Sequence, residues 1–272
     1  MKRDFQGRVV WVTGASSGIG RGIAKAAAAR GARLILSGRR PETLGAVADE
    51  CVALGAPAEG VATLAFDLED GEARARSCER AAALLGPLDI IVLNAGVSQR
   101  STFLETSPEA FDRIMLLDFE AQVDITRRCL PAMVARRSGC LVAISSFTGL
   151  AGMPVRSAYS AAKHALAGFF QSIRAELVGT GLRVVTVSPG YVKTGVGRNA
   201  LAGDGRPMTK DDPNIEGGAD PDSVAMKILD SILGGAVEFK VAFDFRMRLG
   251  LFLSRYAPSV WARLSARHVG LR

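Results

Sequence analysis

Apolar runs bounded by turn residues alternate along this chain with stretches of helical periodicity. The strand-like runs fall at 8–13, 33–37, 61–66, 89–93, 139–145 and 182–188, and the helix-like stretches at 19–30, 41–54, 70–85, 108–135 and 158–179. The strands are apolar throughout rather than at every second position, which predicts a sheet buried on both faces. Regular alternation of strand and helix predicts parallel pairing through right-handed crossovers, hence an α/β, doubly wound parallel sheet. Ligands of such sheets bind beyond the carboxyl ends of the strands. Chemistry is therefore expected at Thr13 to Gly20, Ser37 to Arg40, Asp67, Asn94 to Gly96, Ser145 to Ser146 and Ser188 to Thr194.

Composition narrows this picture. No Pro/Gly/Ser-rich linker divides the 272 residues, so a single domain over 1–272 is expected. The start, MKRDFQGRVVWVTG, reaches a strand too soon for a signal peptide, and no apolar run is long enough to span a bilayer as a helix. Four scattered cysteines without a CxxC pair and two histidines predict no metal site and reduced thiols, as in a cytoplasmic protein. The net charge of +7 is unevenly spread: up to Glu238, 27 Lys and Arg face 26 Asp and Glu, whereas from Lys240 on 7 basic residues face Asp244 alone. No nucleic-acid-binding module accompanies that charge, so nucleic acid is not an expected partner.

Three motifs carry the candidate chemistry. Thr13-Gly14-Ala15-Ser16-Ser17-Gly18-Ile19-Gly20 follows the first strand and opens the first helix, where a dinucleotide's pyrophosphate meets a helix N-terminus in Rossmann-type sheets. Gly14, Ser16, Ser17, Gly18, Ile19 and Gly20 are therefore candidate cofactor residues. At the end of the second strand an NAD site would place a carboxylate against the ribose 2′-hydroxyl, but the chain reads Ser37-Gly38-Arg39-Arg40. Arg39 would instead pair with a 2′-phosphate, which predicts NADP(H) as cofactor. The third motif is Tyr159-Ser160-Ala161-Ala162-Lys163, with Ser146 at the end of the fifth strand. A four-residue separation puts Tyr159 and Lys163 on one helix face, where the ammonium stabilises the phenolate, while Ser146 can hold the substrate oxygen.

Together these residues resemble the short-chain dehydrogenase/reductase family, in the branch with the Thr-Gly-x-x-x-Gly-x-Gly loop, over nearly all of residues 8–194. The resemblance implies catalysis by Ser146, Tyr159 and Lys163, with Lys163 also on the nicotinamide ribose. It implies that Asp67 and Leu68 lie near the adenine and Asn94, Ala95 and Gly96 along the cofactor, with Pro189, Gly190, Val192 and Thr194 by the carboxamide. A homodimer or homotetramer through the long helices is the family expectation. The stretches Leu34 to Arg40, Gly96 to Ser101 and Ala161 to Leu166 are similar to the dehydrogenase/reductase member 7 and 11β-hydroxysteroid dehydrogenase group, which implies a small lipophilic substrate. One position departs: the family's catalytic asparagine, which helps hold a helix irregularity and a proton-relaying water, falls on Asp118. When ionised, Asp118 cannot donate a hydrogen bond, and its charge opposes the effect of Lys163 on Tyr159. Ser145 is expected to be structural, Leu93 to pack, and His164 to point away from the chemistry.

Two segments lie beyond the motifs. Residues 195–218, rich in Gly, Asp, Asn and Pro, suit a mobile flap over the substrate, and equally a poorly ordered loop; loops in this place build binding sites in α/β sheets, which favours the flap. The basic, aromatic segment 240–272 mixes Phe, Leu and Trp with arginines and has two readings: a C-terminal helix pair broken at Pro258 that closes the pocket or packs on another subunit, or peripheral contact with a membrane surface. The function expected is hydride transfer between NADP(H) and a lipophilic alcohol or carbonyl, with Tyr159 as acid/base. A nucleotide-binding sensor or scaffold with little turnover is the alternative, whereas a sugar-nucleotide epimerase would need different glycine spacing and a longer substrate domain.

Overall fold

The computed structural model describes residues 4–209 and 213–271; residues 1–3, 210–212 of the expected flap and 272 lie outside the described residues. The apolar runs become six parallel strands: β1 (Val9–Thr13), β2 (Arg33–Gly38), β3 (Val61–Ala65), β4 (Ile90–Leu93), β5 (Gly139–Ile144) and β6 (Leu182–Pro189). A seventh, β7 (Glu238–Val241), pairs in parallel with β6 and completes the order β3-β2-β1-β4-β5-β6-β7. The first half of the chain builds outward from β1 to β3 and the second from β4 to β7, so the order reverses between β1 and β4. A crevice opens there at the carboxyl ends.

Strand side chains alternate between two cores. Val10, Val12, Leu34, Leu36, Val92 and Val142 face one layer, built on helices α1 (Gly18–Ala28), α2 (Pro41–Ala53) and α8 (Pro221–Leu233). Val9, Trp11, Ile35, Ile91, Leu93 and Leu141 face the other, covered by α3 (Gly71–Leu84), α5 (Ala121–Arg136) and α6 (Ser157–Glu176). Both faces of the central strands are covered, which is why β1, β4 and β5 are almost wholly apolar; each fully buried aliphatic side chain contributes about 1.5–3 kcal/mol. Leu93 is fully buried in this packing.

The helix expected over 108–135 is one rod with an irregularity in it. α4 (Pro108–Met115) starts under a Ser107 cap and runs into a single π turn, Leu116–Glu120, before α5 continues. The wider turn places Leu117 and Asp118 on the buried side together. Two elements were not among those expected. α8 buries Val224, Ala225, Ile228, Leu229 and Ile232 against α1, and β7 is a four-residue edge strand with only Val241 buried. Lys240 and Val241 thus belong to the sheet, opposite Ser188 and Pro189, rather than to a C-terminal tail. After the single turn α7 (Pro213–Glu216), α8 and β7, the chain ends in a helix pair, α9 (Phe245–Tyr256) and α10 (Pro258–His268), with the break at Pro258.

Candidate active site

A cleft of about 600 Å³ lies over the carboxyl ends of the strands. It is lined by the turn from Thr13 to Ile19, the end of β2, the 94–98 loop, Ser146, Tyr159, Lys163 and the 189–194 segment. Of the expected site residues only Gly20 lies outside its lining; it sits under the turn, where a Cβ would come within 2.3 Å of the Gly14 carbonyl.

The end of the cleft at the 14–20 turn is a backbone cradle. Gly14 has φ +65° and would bring a Cβ within 2.8 Å of Ala95 Cα, so the turn needs glycine both for its hand and for the close approach of β4. α1 then begins with no side chain capping it: Ser17 is extended and makes no cap hydrogen bond, and no acid stands in the first turn. The first amides and the positive end of the helix dipole are left for an anion. Thr13 and Asn94 lock the cradle to β4. Asn94 Nδ2 donates to the carbonyls of Thr13 (3.0 Å) and Gly14 (3.2 Å), while Thr13 Oγ1 accepts the amides of Asn94 and Ala95. Asn94 therefore shapes the cleft through the backbone. The Ser37 hydroxyl is instead held by a side chain, accepting the buried Trp11 indole at 2.7 Å. Arg39 and Arg40 are exposed at the mouth, Arg40 immediately before α2, and no carboxylate ends β2. Asp67 is exposed and holds the Glu69 amide at 3.0 Å, beside Leu68 on the same wall. Across the cleft Thr194 packs its methyl against Gly18, and Gly190 and Val192 line the cleft at the end of β6.

The reacting end is built on α6. Ala158, Ala162, Leu166 and Phe170 recur every four residues and bury one side of this helix, which leaves Tyr159 and Lys163 side by side at the cleft, the ammonium 5.7 Å from the phenol ring centre. Ser146, after β5, accepts the Thr148 amide at 3.2 Å and caps a short turn. Ser145 donates to the Lys163 carbonyl at 3.2 Å and ties that turn to α6. His164 is exposed and bonds its ring to the Ser160 carbonyl.

Beneath Tyr159 lies a buried ion pair. Lys163 Nζ is 2.9 Å from Asp118 Oδ1 and donates to the Ile144 carbonyl at 3.3 Å. Asp118 Oδ2 accepts the Val97 amide at 3.0 Å. Gly96 is required beside them, since a Cβ there would fall 2.2 Å from Asp118 Oδ1. Burial disfavours the Lys163 ammonium, but the attraction of Asp118 and Tyr159 outweighs it and holds Lys163 above the usual lysine range. Burial pushes Asp118 up, against the pull of Lys163 and the Val97 amide. Each charge is the other's closest partner, which favours carboxylate and ammonium together.

Three further residues organise the site without belonging to any of the motifs. Gln99 Oε1 accepts the amides of Ala158 (2.8 Å) and Tyr159 (3.3 Å), so it caps α6 from a distant loop; the residue before the helix, Arg156, gives no cap. Gln122 Nε2 bridges the Ala95 carbonyl (2.8 Å) to the Leu117 carbonyl (3.0 Å), joining the 94–98 loop to the π turn. Arg156, buried on the cleft wall, donates to Ser98 Oγ at 3.0 Å. No local spacing marks them, since their partners lie far along the chain.

The far end of the cleft is mostly apolar, lined by Phe147, Met153, Tyr191, Val196, Ile215 and Met247. The expected flap is pinned to this end: Leu201 is buried, its amide donates to the Ser98 carbonyl and its carbonyl accepts the Arg100 amide, both at 2.8 Å. α9 contributes Met247, within a cluster of Phe147, Phe243 and Trp261.

Known proteins resemble this chain in sequence and in fold. The sequence model described as short chain dehydrogenase matches residues 8–204. A curated relative from Bos taurus, "Dehydrogenase/reductase SDR family member 7B", is 38% identical over 269 residues, covering 98% of this chain and 82% of its own. A short-chain dehydrogenase crystal structure from Streptomyces avermitilis superimposes with a TM-score of 0.78 at 30% identity, covering 97% of this chain and 98% of its own. A metagenomic short-chain oxidoreductase crystallised with NADP gives a TM-score of 0.72 at 29% identity, over 87% of this chain and 97% of its own.

Proposed function

The chain belongs to the short chain dehydrogenase family, and from that premise we propose that it is an NADP(H)-dependent oxidoreductase acting on a lipophilic alcohol or carbonyl. The observation that carries the proposal is the placement of Ser146, Tyr159 and Lys163 on one cleft whose opposite end is an uncapped helix N-terminus. The residues fit a dinucleotide. The 14–20 turn would hold the pyrophosphate, Arg39 a 2′-phosphate, Asp67 and Leu68 the adenine, and Pro189, Gly190, Val192 and Thr194 the carboxamide. The bound cofactor supplies or accepts the hydride.

The chain's own residues handle the proton. Ser146 donates a hydrogen bond to the substrate oxygen, and Tyr159 gives that oxygen its proton in reduction or removes it in oxidation. Lys163 places its charge beside the phenol, and the Asp118 carboxylate at 2.9 Å offsets part of that charge. Phe147, Met153, Tyr191 and Met247 support a lipophilic substrate by lining the end of the cleft beyond Tyr159.

The test is NADPH consumption over a panel of lipophilic ketones and aldehydes, run beside Tyr159→Phe. Turnover by the wild type that falls by about 10²–10⁴ in the variant is expected. Turnover that survives the substitution overturns the mechanism. No turnover from either protein, with NADPH still bound, favours the sensor reading.

A further inference from the structure

The outer side of the C-terminal helix pair has no role in the cleft. On α9, Phe245, Leu249, Phe252 and Tyr256 recur at the spacing of one helix face, and that face is turned to solvent: Phe245, Phe252 and Tyr256 are 77, 57 and 68% exposed. The opposite side of the same helix is the packed one, where Met247 joins the cleft wall and Gly250 makes room for the Trp261 ring. Trp261 in turn donates its indole N–H to the Gly152 carbonyl at 3.1 Å. The pair is thus seated on the body by its inner side. α10 repeats the arrangement, with Val260 and Leu264 exposed beside Arg263 and Arg267.

The charges frame the stripe. At about 100° per residue, Arg246 borders it on one side and Arg248 and Arg255 on the other, all exposed. Beyond residue 244 the sequence has no acidic side chain, and Asp244 itself caps α9 by accepting the Met247 amide at 2.8 Å. A second copy docked symmetrically through this face would bring only further arginines to these arginines, since the segment after Asp244 carries no acid. An anionic lipid surface meets both features at once, since it takes the apolar stripe and neutralises the arginines. No helix among the described residues is long and apolar enough to cross a membrane, so contact through this face would be interfacial.

We propose that the outward faces of α9 and α10 form a docking surface for an anionic lipid bilayer. Helix α9 lies in the interfacial plane with Phe245, Leu249, Phe252 and Tyr256 among the acyl chains and its arginines reaching the phosphates. Because Met247 stands on the inner side of α9, docking brings the apolar end of the cleft to within about 10 Å, one helix diameter, of the lipid. Lipophilic molecules could then pass between bilayer and cleft, a consequence that rests on the function proposed above; the docking itself does not.

The experiment is flotation of the full chain with vesicles of phosphatidylcholine alone or with added phosphatidylserine, at low and high salt. Binding to the anionic vesicles is expected to be at least about tenfold stronger than to neutral ones and to weaken with salt. Phe245→Ser/Phe252→Ser and, separately, Arg248→Gln/Arg255→Gln should each lower binding to anionic vesicles by about tenfold while leaving the far-UV circular dichroism and NADPH binding unchanged. Equal binding to both vesicle types, or wild-type binding by either double variant, overturns the proposal. A wild-type dimer in analytical ultracentrifugation that becomes monomeric on Phe245→Ser/Phe252→Ser overturns it as well, by making the stripe an interface between copies.

Discussion

Lys163 and Arg255 are both cations on helices that border the same cleft, yet they stand in opposite physical settings. Lys163 is almost fully buried and has a carboxylate at 2.9 Å, with a backbone carbonyl as its second partner. Arg255 is exposed on a helix without acids after its cap, among phenylalanines and other arginines. In the interior the surroundings cannot solvate a charge, so it survives only when matched and hydrogen-bonded. At the rim water carries the charge, so arginines can accumulate unmatched at little cost to the fold. The first setting makes charge a structural commitment, and the second leaves it available for a partner.

The contrast breaks most sharply at the buried pair. Lys163→Met should remove activity and also destabilise the protein by about 3–5 kcal/mol, because Asp118 is stranded without its cation. Lys163→Met/Asp118→Asn should recover most of that loss, and denaturant midpoints of the four proteins check it. Simple addition of the two single effects would mean that the pair is not coupled.

Gln99→Leu tests the same interior at a neutral group. It leaves the amides of Ala158 and Tyr159 without an acceptor at the start of α6 and should cost about 1–2 kcal/mol, with a fall in kcat at little change in cofactor affinity. Wild-type stability and kcat would show that the cap does not position Tyr159.

The pH dependence sharpens the pair's electrostatics. A lysine raised in the folded state contributes stability that is present below its unfolded value and lost as pH rises through the folded one. Lys163 is raised chiefly through Asp118, so the wild type should keep this contribution to alkaline pH, whereas Asp118→Asn should lose it at lower pH. Urea midpoints across the alkaline range measure the difference; coincident curves would remove Asp118 as the cause.

At the rim the expected effects on the fold are smallest. Phe252→Ser, on the solvent side of α9, should change stability by no more than about 0.5 kcal/mol. A thermal melt lowered as far as that of Gln99→Leu would show that the outer face is packed in solution, by this chain or by another copy.

How far the sequence could be read follows from the range of each interaction. The six main strands, the turn at Thr13 to Gly20 and the spacing of Tyr159 and Lys163 are local, encoded by residue type within a few positions, and they stand in the fold where the pattern puts them. The family likeness rests on those same residues. β7 escaped because a four-residue edge strand with polar Glu238 and Lys240 lacks the continuous apolar run of its neighbours. The exposed stripe of α9 was legible as aromatic and basic composition, but not as a face.

By itself, then, the sequence determined the doubly wound architecture, the glycine turn at Thr13 to Gly20 and the shared helix face of Tyr159 and Lys163, because period and spacing within an element express its geometry directly. Only the tertiary structure decided that Asp118 meets Lys163, that Gln99 caps α6 from 59 residues away, and which side of α9 is left to solvent. Those outcomes depend on sheet register, on the π turn and on which surfaces exclude water when the layers close. No local pattern carries that information, because burial is a property of the assembled layers and not of any one stretch of chain.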